Sequence, residues 1–170
     1  EGIGVGGHGA TGDTVRGHLG MLGAFLEYEI RRYENAAVLP PRYFEVGFGM
    51  SGRLAEESQD DFSVVNPVTV DLGGVKIRVR GRADRVDADC SHFVLIDYKT
   101  GWRPGVTVQK EGWYVQLPLY LMVLNRVFAD SGAALEPVGG IYYSLRPDVA
   151  KTDSHFMRED LKALAGLKKS

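Results

Sequence analysis

From Asp13 to Tyr33 apolar residues recur every three or four positions, at Val15, Leu19, Leu22, Leu26, Ile30 and Tyr33. That spacing predicts an amphipathic helix whose apolar side covers one face of a sheet. Asp13 or Thr14 can cap its start, and Pro40-Pro41 stop it because proline cannot continue a helix. The stretch before it carries Gly2, Gly4, Gly6, Gly7, Gly9 and Gly12. Residues 1–12 therefore read as a flexible lead-in, His8 included, and the folded domain is placed at residues 13–170.

Beyond the helix the pattern changes to period two. A first strand is expected over Arg42–Phe48, then an exposed polar loop over 49–63 with Glu56, Glu57, Asp60 and Asp61. Val68–Asp71 reads as a strand that turns at Gly73-Gly74, a pair suited to a primed hairpin turn. Val75–Asp87 alternates apolar and charged residues as one long strand, and Phe93–Lys99 is rich in β-branched and aromatic types. The polar run Asp89-Cys90-Ser91-His92 is the turn between them. Downstream, a helix is expected over Gln109–Ala129, with Pro118 either kinking it or lying near a first turn. Val138–Leu145 then reads as a strand and Ser154–Lys168 as a terminal amphipathic helix. Interleaved strands and helices indicate an α/β domain, a central mixed β-sheet flanked by helices.

The charged residues within the strands carry the chemistry. Asp97 and Lys99 stand two apart, so their side chains leave one face of the strand. With the turn centred on residues 89–92, antiparallel pairing sets Asp84 opposite Asp97, at about 4.5–5.5 Å between Cβ atoms. Two carboxylates that close repel unless a cation lies between them or one keeps its proton. Hard divalent ions such as magnesium take carboxylate, carbonyl and water oxygens, and usually only one or two protein carboxylates. Asp84 and Asp97 can supply these, with the backbone carbonyl of Tyr98 as a third oxygen. Lys99 keeps its charge beside two acids, which suits it to positioning a water and a phosphate rather than to general-base work. In isolation the same residues would also read as a solvated cross-strand charge cluster.

The flanking motifs weigh against that alternative. Gly81-Arg82-Ala83-Asp84-Arg85-Val86-Asp87 is followed by Ile96-Asp97-Tyr98-Lys99-Thr100-Gly101, then by Gly112 and Gln116-Leu117-Pro118-Leu119-Tyr120; Phe44-Glu45-Val46-Gly47-Phe48-Gly49 precedes them. In this order they resemble the PD-(D/E)XK nuclease superfamily, and more narrowly the RecB/AddB-type nuclease domain of bacterial helicase–nuclease complexes that process double-strand breaks. The resemblance implies a restriction-endonuclease-like fold, Asp84 and Asp97 as metal ligands with magnesium or manganese, and Lys99 as the catalytic lysine. Gln116 and Tyr120 match the family's downstream helix motif, which borders the active site and the DNA. Their i, i+4 spacing puts them on one helix face, although Tyr120 also reads as a core aromatic. Glu45 reads as a third acid of the site or as the partner of an arginine on the strand that carries Arg82, and a supporting role beside the site is the favoured reading. The implied partners are DNA, in particular single-stranded ends, and a helicase motor domain or subunit. Trp102 or Arg103, in a loop beside the site, would stack on or grip that DNA, or pack.

Two features depart from the family's pattern. Many RecB-like nucleases carry a histidine in a Gly-x-x-x-His motif on an early helix, whereas His18 is preceded at that distance by Thr14. Related domains hold an iron–sulfur cluster through four cysteines; Cys90 is the single cysteine here, so this chain cannot supply that ligand set.

Charge adds a constraint. Lys and Arg number 20 against 22 Asp and Glu, for a net charge of −2, where a free-standing nucleic-acid binder would usually be basic. A partner is expected to supply part of the DNA grip. Lys76, Arg78, Arg80 and Arg82 share parity with Asp84, and without a bulge would form a basic stripe toward the site, or a plain solvent-facing strand. A single cysteine, no secretory signal and no apolar run near 18 residues point to a cytoplasmic protein with no membrane span. No GxxxxGK[ST] loop occurs, so the motor is not in this chain. The expected function is a magnesium- or manganese-dependent deoxyribonuclease, the exonuclease module of a helicase–nuclease repair protein. The alternatives are a non-catalytic DNA-binding or assembly module, or a stand-alone nuclease resembling those of CRISPR adaptation systems.

Overall fold

A computed structural model describes residues 12–34, 37–50, 60–101, 111–112, 114–145 and 154–167, with side chains from residue 19 onward and not for 154–156. The elements are helix α1 (Gly12–Tyr33), strands β1 (Pro41–Phe48), β2 (Val68–Leu72), β3 (Val75–Val79), β4 (Gly81–Ala88) and β5 (His92–Lys99), and helix α2 (Gln116–Asp130). Strands β6 (Glu136–Ser144) and β7 (Ser154–Met157) and a 3-10 helix (Glu159–Ala165) complete them. The fold is α/β and restriction-endonuclease-like: a mixed five-stranded sheet in the order β1-β4-β5-β6-β7, with β2 and β3 forming a separate hairpin.

β1, β4 and β5 run antiparallel, whereas β6 lies parallel to β5. A parallel step needs a crossover, and α2 provides it. Alternating strand residues then divide into two cores. Val46, Phe48, Val86 and Leu95 face α2 through Leu117, Leu121, Leu124 and Phe128. Val94, Ile96, Ile141 and Tyr143 face the opposite way, toward Phe25 and Tyr28 of α1 and Ala165 of the 3-10 helix. A Cβ at Gly140 would meet Leu117 Cδ2 at 3.0 Å, so glycine lets α2 settle on β6.

α1 forms where expected but packs with a different face. Leu19, Leu22, Leu26 and Ile30 are 64, 53, 51 and 63% exposed. Phe25 and Tyr28 turn inward instead, beside the buried Glu29 and Arg32. Ring packing and buried ion pairs fix the helix rotation here, and the aliphatic stripe runs along its flank. The long strand is also divided: it breaks at Arg80, and β3 leaves the main sheet to pair with β2. Their turn has positive φ at both Gly73 (67°) and Gly74 (95°), as a primed turn requires.

Two further boundaries move. α2 begins at Gln116 rather than near 109, which puts Pro118 in its first turn, where backbone N–H groups have no intrahelical acceptor anyway. The terminal segment is not one helix. Ser154–Met157 adds to the open edge of β6, and the chain is extended at Arg158 before its short 3-10 turn. Pairing with a free sheet edge satisfies backbone groups that an isolated short helix would leave to water. The glycine-rich lead-in with His8, the loop with Glu56 and Glu57, the loop with Trp102 and Arg103, and the His18 side chain lie outside the described parts.

Candidate active site

Strand register builds the site. β4 and β5 pair Arg85 with Ile96 and Val86 with Leu95, so one step outward the same register aligns Asp84 with Asp97. The turn that sets this register is held by Asp89, whose Oδ1 accepts the N–H groups of Ser91 and His92, both at 2.7 Å. Asp84 Oδ2 accepts the Tyr98 N–H at 2.9 Å, which ties the first acid to the strand of the second.

The side chains of Asp97, Lys99 and Gln116 close a compact group. Lys99 Nζ lies 2.5 Å from Asp97 Oδ2, Gln116 Nε2 donates to Asp97 Oδ1 at 2.8 Å, and Lys99 Nζ donates to Gln116 Oε1 at 3.3 Å. The parallel ladder places Tyr142 beside Asp97, and its ring centroid lies 5.3 Å from the Lys99 ammonium, a cation–π contact. Tyr142 escaped the sequence analysis because its role depends on β6 lying next to β5, which no local pattern reveals. Burial holds the Asp97 carboxyl above the ordinary aspartate range; Lys99 and Gln116 oppose this and the charge of Asp84 adds to it.

The residues fit a hard divalent cation. Asp97 is only 6% exposed, and its Oδ2 touches Lys99 without an aligned hydrogen bond. Two carboxylates and the Tyr98 carbonyl are oxygen donors of the kind magnesium and manganese take, with water filling other positions. Among the described residues no cluster of three or more His, Cys, Asp or Glu forms a metal site.

Tyr120 packs as the core aromatic it was also read to be. Its ring meets Phe48 edge-on at 5.0 Å in the core, and its hydroxyl lies where a Cβ at Gly81 would be, so Gly81 makes room for it. Burial pushes its ionisation upward, against hydrogen bonding from the Arg82 backbone and the Gln116 side chain. Glu45 pairs with Arg82 at 2.6 Å, the second of its two expected roles.

The basic stripe does not continue into the site. Glu45 has φ 53°, and the β1–β4 ladder pairs Phe44 with Arg85 and Val46 with Ala83 but not Glu45 with Asp84. Ala83 and Val86, an odd number of positions apart, consequently enter the same core. Parity is reset between them, so Arg82 leaves the face opposite to Asp84.

With this geometry in place, the sequence can be set against known families. The profile of the PD-(D/E)XK nuclease superfamily matches residues 21–169. The chain belongs to the PD-(D/E)XK nuclease superfamily. No curated protein matches the sequence significantly. The matched span holds Asp84, Asp97, Lys99, Gln116 and Tyr120 together, and a nuclease of this superfamily is a hydrolase of nucleic-acid phosphodiesters. Among the described residues no helix is long and apolar enough to cross a membrane.

The opposite face of the β4–β5 hairpin holds a second cluster that the sequence reading passed over. Arg85 Nη1 lies 2.6 Å from Glu29 Oε2, and Arg85 Nε lies 2.5 Å from Asp87 Oδ1. Arg32 Nη1 reaches Asp87 Oδ2 at 3.0 Å, and Tyr33 donates to the same oxygen at 3.2 Å while accepting from Arg85. The side chains of Arg85, Arg32 and Asp87 are at most 3% exposed. Strand parity was the available signal: Arg85 and Asp87 alternate with Asp84 and must face away from it.

Proposed function

We propose that this domain is a magnesium- or manganese-dependent deoxyribonuclease, the exonuclease module of a helicase–nuclease DNA repair protein. The observation that carries the reading is the contact of Lys99 and Gln116 with a buried acid whose strand register aligns it with a second acid. A purely structural surface cluster would be solvated and loosely paired. When bound, a divalent ion polarises the phosphate and lowers the pKa of a water. Asp84 and Asp97 would hold that ion, with Tyr98 offering its carbonyl. Lys99, in contact with Asp97, would stabilise charge on the phosphate and orient the water. Gln116 fixes both Asp97 and Lys99, and Tyr120 walls the site beside it. The RecB/AddB-like order of motifs supports the helicase–nuclease context. The net charge of −2 fits a domain whose partner contributes DNA affinity.

End-labelled single-stranded DNA, duplex DNA and RNA incubated with the protein and Mg²⁺ or Mn²⁺ test this. Mononucleotides or short products released progressively from single-stranded DNA ends are expected, and Asp84→Ala should abolish them. No cleavage, with Asp84→Ala leaving DNA binding unchanged, would establish a non-catalytic binding module instead. Internal cuts would replace the exonuclease assignment with an endonuclease.

A further inference from the structure

The two residues that immediately follow the acids are joined to each other behind the sheet. Arg85 succeeds Asp84, Tyr98 succeeds Asp97, and Arg85 Nη1 donates to the Tyr98 hydroxyl at 2.9 Å. Successive strand residues point to opposite faces. A bond between Arg85 and Tyr98 therefore spans the same two strands diagonally, centred on the level of the acid pair at the front.

This rear link is itself anchored. Glu29 of α1 grips the same Arg85 Nη1 at 2.6 Å, and Asp87 holds the guanidinium from the side through Nε and Nη2, at 2.5 and 2.9 Å. The Tyr98 ring is wedged edge-on between Phe25 of α1 and Tyr143 of β6, at 5.9 and 5.7 Å. Arg32 extends the anchor to the 3-10 helix by donating to the Ala165 carbonyl at 3.3 Å. Both partners of the link are thus fixed, one by charge and one by packing. Motion of β4 relative to β5 would have to break it. On the front, beyond the last ladder pair of the two strands, Tyr98 N–H donates to Asp84, and this bond too belongs to Tyr98.

We infer that Tyr98 and Arg85 are positioning residues that set the spacing of Asp84 and Asp97 from behind, and so set the affinity of the site for its divalent ion. The inference rests on the metal-site reading of that acid pair. A hydroxyl one sheet-thickness from the metal acts through the backbone. Supporting groups around metal ligands change metal affinity or activity by roughly 10–100-fold when removed.

Tyr98→Phe deletes one oxygen and keeps the ring in its aromatic wedge. Mn²⁺ binding to the full chain is measured by calorimetry and by the electron paramagnetic resonance signal of free Mn²⁺, beside the melting temperature. The expected result is a Kd for Mn²⁺ raised about tenfold or more at a melting temperature close to that of the parent. Nuclease activity should recover when Mn²⁺ is raised in proportion. Glu29→Gln, which loosens Arg85 from the helix side, should shift the same Kd in the same direction. Arg85→Ala is unsuited because it strands buried Asp87 and Glu29. Parent and Tyr98→Phe binding Mn²⁺ equally, with Asp84→Asn abolishing binding, would overturn the positioning role and leave the metal site standing. A parent protein that shows no Mn²⁺ binding sensitive to Asp84→Asn would remove the metal-site reading and this inference with it.

Discussion

The two faces of the β4–β5 hairpin carry similar charged residues in opposite states. On the rear, Arg85, Arg32, Asp87 and Glu29 form two cations and two anions in mutual contact, deep beneath α1. On the front, Asp84 and Asp97 are two anions with one ammonium, and burial with like charge keeps the Asp97 carboxyl hard to ionise. The rear balances its charge internally. Among the described residues the front has one acid more than it has cations, the excess that the proposed divalent ion would balance. A buried charge is therefore informative only together with its partners: balanced charge points to architecture, even where Glu29 Oε1 and Arg32 Nη2 lack a hydrogen bond, and a charge in excess points to a candidate site.

Breaking the rear should cost the most and cost it in stability. Asp87→Ala leaves Arg85 and Arg32 buried with an uncompensated charge, and a loss of about 3–5 kcal/mol is expected in urea unfolding. If Asp87→Ala melted normally, the rear cluster would be ornament and the contrast would fail. Lys99→Ala should do the reverse, reducing DNA cleavage by about 10²–10³-fold while the urea midpoint stays near that of the parent. Gln116→Ala removes the group that aligns Asp97 with Lys99, and a smaller drop of about 10–100-fold in cleavage is expected.

The smallest effect concerns pH without metal. Because the folded state holds the Asp97 carboxyl above its unfolded value, the folded protein binds the extra proton more readily. This group's contribution is full below the ordinary aspartate range and is lost as pH rises through the elevated folded value. Metal-free Asp97→Asn should lack that decline, seen as a flatter dependence of melting temperature on pH. A steeper dependence would show that Lys99 and Gln116 outweigh burial.

How much of this was legible depended on whether the deciding contact was local. The Asp84–Asp97 alignment follows from a turn of known length, and Asp89 holds that turn with its own side chain, so sequence alone placed it. The seating of α1 did not follow. Periodicity marks Leu19, Leu22, Leu26 and Ile30 as an apolar face, but the surface that receives the helix offers Tyr98, Tyr143 and Arg85, which select Phe25, Tyr28 and Glu29. The break at Arg80 was equally hidden, since apolar and charged residues keep alternating through it while β3 changes sheet. Ser154–Met157 became a strand because β6 had an open edge, a fact located elsewhere in the chain. Tyr142 and the Arg85–Tyr98 link needed the third dimension altogether.

One property of the site bears on inheritance rather than on energetics. Asp84, Asp97, Lys99, Gln116 and Tyr120 all come from a single uninterrupted stretch, a hairpin and the opening turns of the helix after it. Such a stretch can be copied, transplanted or lost as one block of coding sequence. The rear cluster cannot, because Glu29 and Arg32 are encoded well ahead of it. A recombination event falling between α1 and β4 would hand on all five candidate residues while leaving behind the helix that packs behind them.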